Sequence, residues 1–204
     1  MYQFLETIRF NSVIVPFVQE HQDRVNRAFK AFFPDENPIN LKNILREIKE
    51  ENQDFLLDAR VVKCRLLYGK TEYKYSLEPY KIRKLEAVKI KEVGDDFDYS
   101  HKYADRKLLE DLKGNENEVL IVKNGLVADT SYANITFFDE KKWFTPAKPL
   151  LEGIKRRVLL QHNIIQSSKI SVEDLKKFTH FKLINAMIDW DESPIYDIKI
   201  IQKQ

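Results

Sequence analysis

The chain has 204 residues, 43% hydrophobic and 12% aromatic, enough for one large or two small domains that bury about 70% of the unfolded surface. Its 34 Lys and Arg stand against 32 Asp and Glu with the signs interleaved, which argues against nucleic acid as the main partner. One cysteine excludes an internal disulfide, no apolar run nears the roughly 20 residues that span a bilayer, and no leader pattern opens the chain; a cytoplasmic protein without membrane contact is expected.

Residues 2–10 and 12–18 are short, β-branched and aromatic, with Asn11 between them, and predict a hairpin. From Gln19 to Phe33, Val25, Ala28, Phe29 and Phe32 recur on one helical face, and Pro34 marks the stop. Leu41, Ile44, Leu45 and Ile48 give a second helix over about 40–51. Segments 58–68, 71–78 and 85–93 read as strands, and Cys64 in the first of them reads as a small buried hydrophobe, not a nucleophile. Gly94-Asp95-Asp96 breaks the pattern, so the domain boundary is placed there, giving domains 1–94 and 95–204. Beyond it a helix (102–113), strands (118–123 and 126–129, joined by Asn124-Gly125, then 133–138 and 142–145), helices (153–162 and 171–178) and a strand (181–187) follow in α+β order.

Several side chains in this frame have the chemistry of a site. Lys102 follows the Gly-Asp-Asp loop at the start of the predicted helix, where the macrodipole, His101 and Arg106 would lower the pKa of its amine; taken alone, in a lysine-rich chain, it reads first as a solvated surface lysine. Asp129, among Thr130, Ser131 and Asn134, is either a carboxylate fixed to face a cationic ring nitrogen or an Asx turn. Gly153 and the amides of Ile154 and Lys155 open a basic helix and could receive an anion, as many helix starts could. Arg24, in His21-Gln22-Asp23-Arg24, is an anion ligand or a surface helix arginine, and Glu6-Thr7-Ile8-Arg9 is a plain alternating strand in its simplest reading. The four histidines show no metal-ligand spacing, and neither a nucleophile elbow nor a Gly-rich phosphate loop occurs.

Taken in order, these segments resemble the class IV aminotransferase family, which includes D-amino-acid aminotransferase, branched-chain aminotransferase and aminodeoxychorismate lyase. His101-Lys102-Tyr103-Ala104-Asp105-Arg106 is similar to the family's lysine motif, in which Arg or Asn follows the lysine by four residues. Asp129 through Asn134 resembles its Glu, small-residue, Asn stretch; Gly153-Ile154-Lys155-Arg156 its Gly-Ile-Thr-Arg; and His21 to Arg24 its His-x-x-Arg. Glu6-Thr7-Ile8-Arg9 matches a family strand outright, and Leu183-Ile184-Asn185-Ala186-Met187 resembles another strand end.

The resemblance implies a two-domain, D-amino-acid aminotransferase-like α+β fold with pyridoxal 5'-phosphate between the domains. Lys102, in the C-terminal domain, would bind the cofactor aldehyde and act as the catalytic base, and Asp129 would face the ring nitrogen with Asn134 nearby. Arg24, Gly153, Ile154, Lys155, Asn185 and Ala186 would hold the phosphate. Glu6, Thr7 and Arg9 would line the substrate side, and Arg9, Arg65 and Arg83 each remain candidates for a substrate carboxylate. The chain departs from the pattern in Asp129 for Glu, in Lys155 for Thr, and in the nearness of Met1 to Glu-Thr-Ile-Arg, where the family carries a further strand pair and a Gly-rich loop. The implied activity is amino transfer from an amino acid to a 2-oxo acid. The alternatives are elimination of pyruvate from an aminochorismate-type substrate and a cofactor-binding protein without turnover. A homodimer is implied, and no metal.

Overall fold

The computed structural model describes residues 3–202, so Tyr2, at the start of the expected first strand, lies outside the described residues. The chain divides into two compact units, one running to Ile82 and taking in His101–Asp105, the other formed by Arg83–Ser100 and Arg106 onward.

The first unit holds β1 (Phe4–Phe10), α1 (Val18–Phe32), α2 (Leu41–Glu51), α3 (Gln53–Asp58), β2 (Val62–Tyr68) and β3 (Tyr73–Pro79). Its three strands form an antiparallel sheet in the order β1-β2-β3, with Phe4 opposite Tyr68 and Phe10 opposite Val62. Because side chains alternate along a strand, Phe4, Glu6, Ile8 and Phe10 share one face with Val62, Cys64, Leu66 and Tyr68. That face packs with Val25, Ala28 and Phe29 of α1 and with Leu41, Ile44, Leu45 and Ile48 of α2, the stripes read from the sequence except for Phe32, which is exposed. Asn40 caps α2 by accepting the Asn43 N–H at 3.1 Å. Leu5, Thr7 and Arg9 occupy the opposite face, across from Leu67, Arg65 and Lys63.

The expected hairpin over 2–18 does not form. Asn11 and Ile14 close a tight turn, Ser12 and Phe17 have positive φ of 54° and 61°, and helix begins at Val18, so β1 takes β2 as its partner instead. The helix expected from 102 begins only at Lys107, because the segment before it lies alongside β1. There the Leu5 N–H donates to the Lys102 carbonyl at 2.9 Å, the Ala104 N–H donates to Gln3 at 2.9 Å, and Phe4 pairs with Tyr103. Lys102 therefore lies ahead of the helix, at a tight turn in which the Tyr103 N–H donates to the His101 carbonyl at 3.0 Å.

The second unit holds β4 (Val88–Val93), α4 (Lys107–Lys113), β5 (Val119–Lys123), β6 (Leu126–Thr130), β7 (Asn134–Phe138), β8 (Trp143–Pro146), α5 (Ile154–Gln161), β9 (Gln166–Ser168), β10 (His180–Ile184), β11 (Tyr196–Asp197) and β12 (Ile201–Gln202). Residues 171–178, read as a helix, form only a 3-10 turn at Glu173–Lys177. Two mixed sheets result, β12-β4-β5-β6 and β11-β10-β7-β8-β9. Asn124 and Gly125, with φ of 53° and 70°, make the tight β5–β6 turn that the Asn-Gly pair predicts. Val88, Leu120, Val122, Val127, Ile135, Phe137, Phe181 and Leu183 fill the core. No helix among the described residues is long and apolar enough to cross a membrane.

Candidate active site

In the first unit, His21 and Arg24 lie three residues apart on α1, hence on one helix face, and both meet Glu6 of β1. Arg24 donates from Nε to Oε1 of Glu6 at 2.7 Å and from Nη2 to Oε2 at 2.5 Å, a bidentate pair, while His21 Nδ1 lies 2.5 Å from Oε2. All three residues are buried. Burial pushes the Glu6 carboxyl up, but the Arg24 charge and hydrogen bond together with His21 outweigh it and hold the group down to about 2. Burial also depresses His21, against the pull of Glu6. With Nδ1 donating to the carboxylate, Nε2 of His21 is left as a buried atom without a hydrogen-bond partner.

Glu6 therefore faces the helices, whereas Thr7 and Arg9 point to the other side of β1. Arg9 is buried there and donates from Nε to Asn11 Oδ1 at 2.6 Å. With Arg65 opposite Thr7 and Lys63 opposite Arg9, this side of the sheet is cationic, moderated by an ion pair from Lys63 to Glu78. Lys102 is half-buried.

In the second unit, Asp129 ends β6 and Asn134 opens β7, and the two side chains bind each other. Asn134 Nδ2 donates to Asp129 Oδ1 at 2.6 Å and to the Leu151 carbonyl at 2.9 Å, while the Leu151 N–H donates to Asp129 Oδ2 at 3.0 Å. Asp129 thus fastens the segment that leads into α5. Gly153, just before that helix, passes so close to Asn134 that a Cβ would come within 1.8 Å of Oδ1. α5 follows Gly153 with no side chain capping it, and the dipole at its start favours an anion. Burial raises the Asp129 carboxyl to about 7; the N–H of Leu151 and the Asn134 amide pull it down only in part.

Of the other predicted anion ligands, buried Lys155 sends its Nζ to within 3.4 Å of Asp189 Oδ1, Asn185 accepts the Met187 N–H at 2.9 Å, and Ala186 is half-buried. Sequence reasoning missed the union of Glu6, His21 and Arg24, whose members lie 15 and 18 positions apart. Its only sequence signal was the His-x-x-Arg spacing on one helix face.

A model of the family Amino-transferase class IV matches residues 100–191. An uncharacterized protein of Haemophilus influenzae is 33% identical over 190 residues, covering 92% of this chain and 98% of the relative. A crystal structure from Haemophilus somnus named "putative 4-amino-4-deoxychorismate lyase" is 31% identical, with a TM-score of 0.83, over 92% of this chain and 97% of that one. A hypothetical aminotransferase from Mycobacterium tuberculosis in its PLP-bound form shares the fold at a TM-score of 0.76 and 16% identity, over 96% of this chain and 80% of that one. The chain belongs to the class IV aminotransferase family, whose members are pyridoxal-phosphate-dependent aminotransferases and lyases.

Proposed function

We propose that this chain is a pyridoxal-phosphate-dependent aminotransferase that moves the amino group of an amino acid to a 2-oxo acid. The observation that carries the reading is the hydrogen-bonded unit of Asp129, Asn134 and Leu151, which joins a buried acid to the glycine-led start of α5. The residues fit the cofactor: a buried carboxyl whose bonded partners are neutral suits a protonated ring nitrogen, and a glycine whose Cβ would collide with Asn134 Oδ1 brings the backbone close at a helix start that favours a phosphate.

When bound, the cofactor supplies an aldehyde that condenses with amines and a ring that accepts electrons from the substrate Cα. Lys102 would hold the aldehyde, and its Nζ would serve as the base for the proton at the substrate Cα. Asp129 would face the positive charge at the ring nitrogen, in the orientation that the Asn134 amide gives its carboxyl. Gly153, Ile154, Lys155, Asn185 and Ala186 would hold the phosphate, Lys155 through its amide since its ammonium is directed to Asp189, and Arg24, set by Glu6, would be a further phosphate ligand. Thr7 and Arg9, with Arg65 across the sheet, receive substrate carboxylates, and Glu6 acts behind them. The protein works as a cytoplasmic homodimer, which elution as a monomer at micromolar concentration would contradict.

A second reading is favoured by the 31% identity and 97% coverage of the Haemophilus somnus structure: elimination of pyruvate from an aminochorismate-type substrate. Proton removal by Lys102 is common to both. Assays with amino donors plus 2-oxoglutarate, and separately with aminodeoxychorismate, separate them. Amino transfer supports the first reading, pyruvate release without amino transfer the second, and inertness toward both contradicts the two together.

A further inference from the structure

Asp129 and Asn134 stand at the two ends of a short loop, Thr130 to Ala133, which closes on itself: the Thr130 N–H and Oγ1 both donate to the Ala133 carbonyl, at 3.0 and 2.9 Å. Two further side chains grip the middle of this loop. Glu118 Oε1 accepts the Ser131 N–H at 2.9 Å, and Arg106 Nη2 donates to the Ser131 carbonyl at 2.7 Å. Arg83 completes the arrangement, with its guanidinium carbon 5.0 Å from the centre of the Tyr132 ring and its Nη1 3.8 Å from Glu118 Oε2.

Glu118 is an expensive choice for a simple loop brace. It is 0% exposed, its Oε2 has no hydrogen-bond partner, and its nearby cation is half-exposed. Burying a carboxyl with one oxygen unpartnered costs stability, so the grip on the Ser131 N–H is a contact kept against that cost. Arg106 is also unusual in its place, since it follows Lys102 by four residues in the one motif that carries the amine. We propose that Arg106 and Glu118 are positioning residues that hold the Ser131 backbone on both sides, so that Asp129 and Asn134 keep their hold on the cofactor ring. The inference rests on the cofactor role assigned above to Asp129.

The test uses the purified full chain with added pyridoxal 5'-phosphate and three readouts: thermal midpoint, cofactor dissociation constant by spectroscopic titration, and the pH midpoint of the bound-cofactor absorbance band. Arg106→Met and Glu118→Ala each weaken cofactor binding about tenfold and move the pH midpoint in the direction that Asp129→Asn moves it. Glu118→Gln, whose amide oxygen still accepts the Ser131 N–H, binds within about twofold of wild type and guards against a mere folding defect. In an Asp129→Asn background the two substitutions no longer change affinity, since they act through the residue already altered. Variants that lower only the thermal midpoint, or that lose as much affinity in the Asp129→Asn background, overturn the positioning role alone. A wild-type protein that binds no cofactor overturns the proposed function and this role together.

Discussion

Glu6 in the first unit and Asp129 in the second are both carboxylates buried from solvent, at 0% and 4% exposure, yet one is held down to about 2 and the other pushed up to about 7. The desolvation cost is common to both, so the difference lies in the partners. Glu6 meets a bidentate guanidinium and an imidazole, whose charge and hydrogen bonds overcome burial. Asp129 meets backbone N–H groups and a side-chain amide, dipoles that orient the carboxyl, while the Arg156 charge acts on it only weakly and without a bond. Glu6 is thus a completed ion pair that braces a structure. Asp129 is an oriented acid suited to a cationic ligand, the property a ring-nitrogen partner needs.

Substitutions can break this contrast from either side. Arg24→Met leaves Glu6 buried without its cation and should destabilise the protein by about 3–5 kcal/mol in urea unfolding, while raising the Glu6 pKa toward the behaviour of Asp129. Asp129→Asn preserves shape and removes the charge; turnover should fall roughly 10²–10³-fold in steady-state assays, with the fold intact by circular dichroism. Gly153→Ala drives a methyl into Asn134 Oδ1 and should cost about 1–3 kcal/mol by thermal or chemical unfolding, with weaker cofactor binding.

The smallest effect is in the pH dependence, where the two acids act in opposite senses. Asp129 keeps a proton in the folded state well above its ordinary value of 3.8, so the folded chain binds more protons than the unfolded one up to about 7. Its contribution to the stability of the cofactor-free protein therefore declines as pH rises, by roughly 1.4 kcal/mol between about pH 6 and pH 8, and Asp129→Asn should remove that slope. The Glu6 contribution is present above its ordinary value of 4.5 and is lost as pH falls toward about 2, so acid unfolding should report on Glu6 and not on Asp129.

Local signals made much of the fold legible. The apolar stripes of α1 and α2, Pro34, and the Asn-Gly turn act within a few residues, and each produced the element it predicts. The failures came where a distant partner decides. Residues 12–18 have strand-forming side chains, yet β1 pairs with β2 some fifty positions on, and Phe17 turns the chain straight into α1. The residues after Lys102 are helix formers, but the bond from the Leu5 N–H, the Phe4–Tyr103 pairing and the His101–Tyr103 turn hold its segment against β1 and out of the helix. The residue types of the candidate site were readable from motif order. What they bind was not: that Arg24 grips Glu6, and that Glu118 grips Ser131, depends on folding that brings residues 18 and 13 positions apart together.

Reduction with borohydride in the presence of pyridoxal 5'-phosphate, followed by peptide mapping, addresses the central claim most directly, because it locks the cofactor onto whichever amine holds it. The predicted result is one labelled peptide, the one containing Lys102, and loss of that label in Lys102→Ala. Label on a different lysine, or none on a folded wild-type protein, would contradict the account.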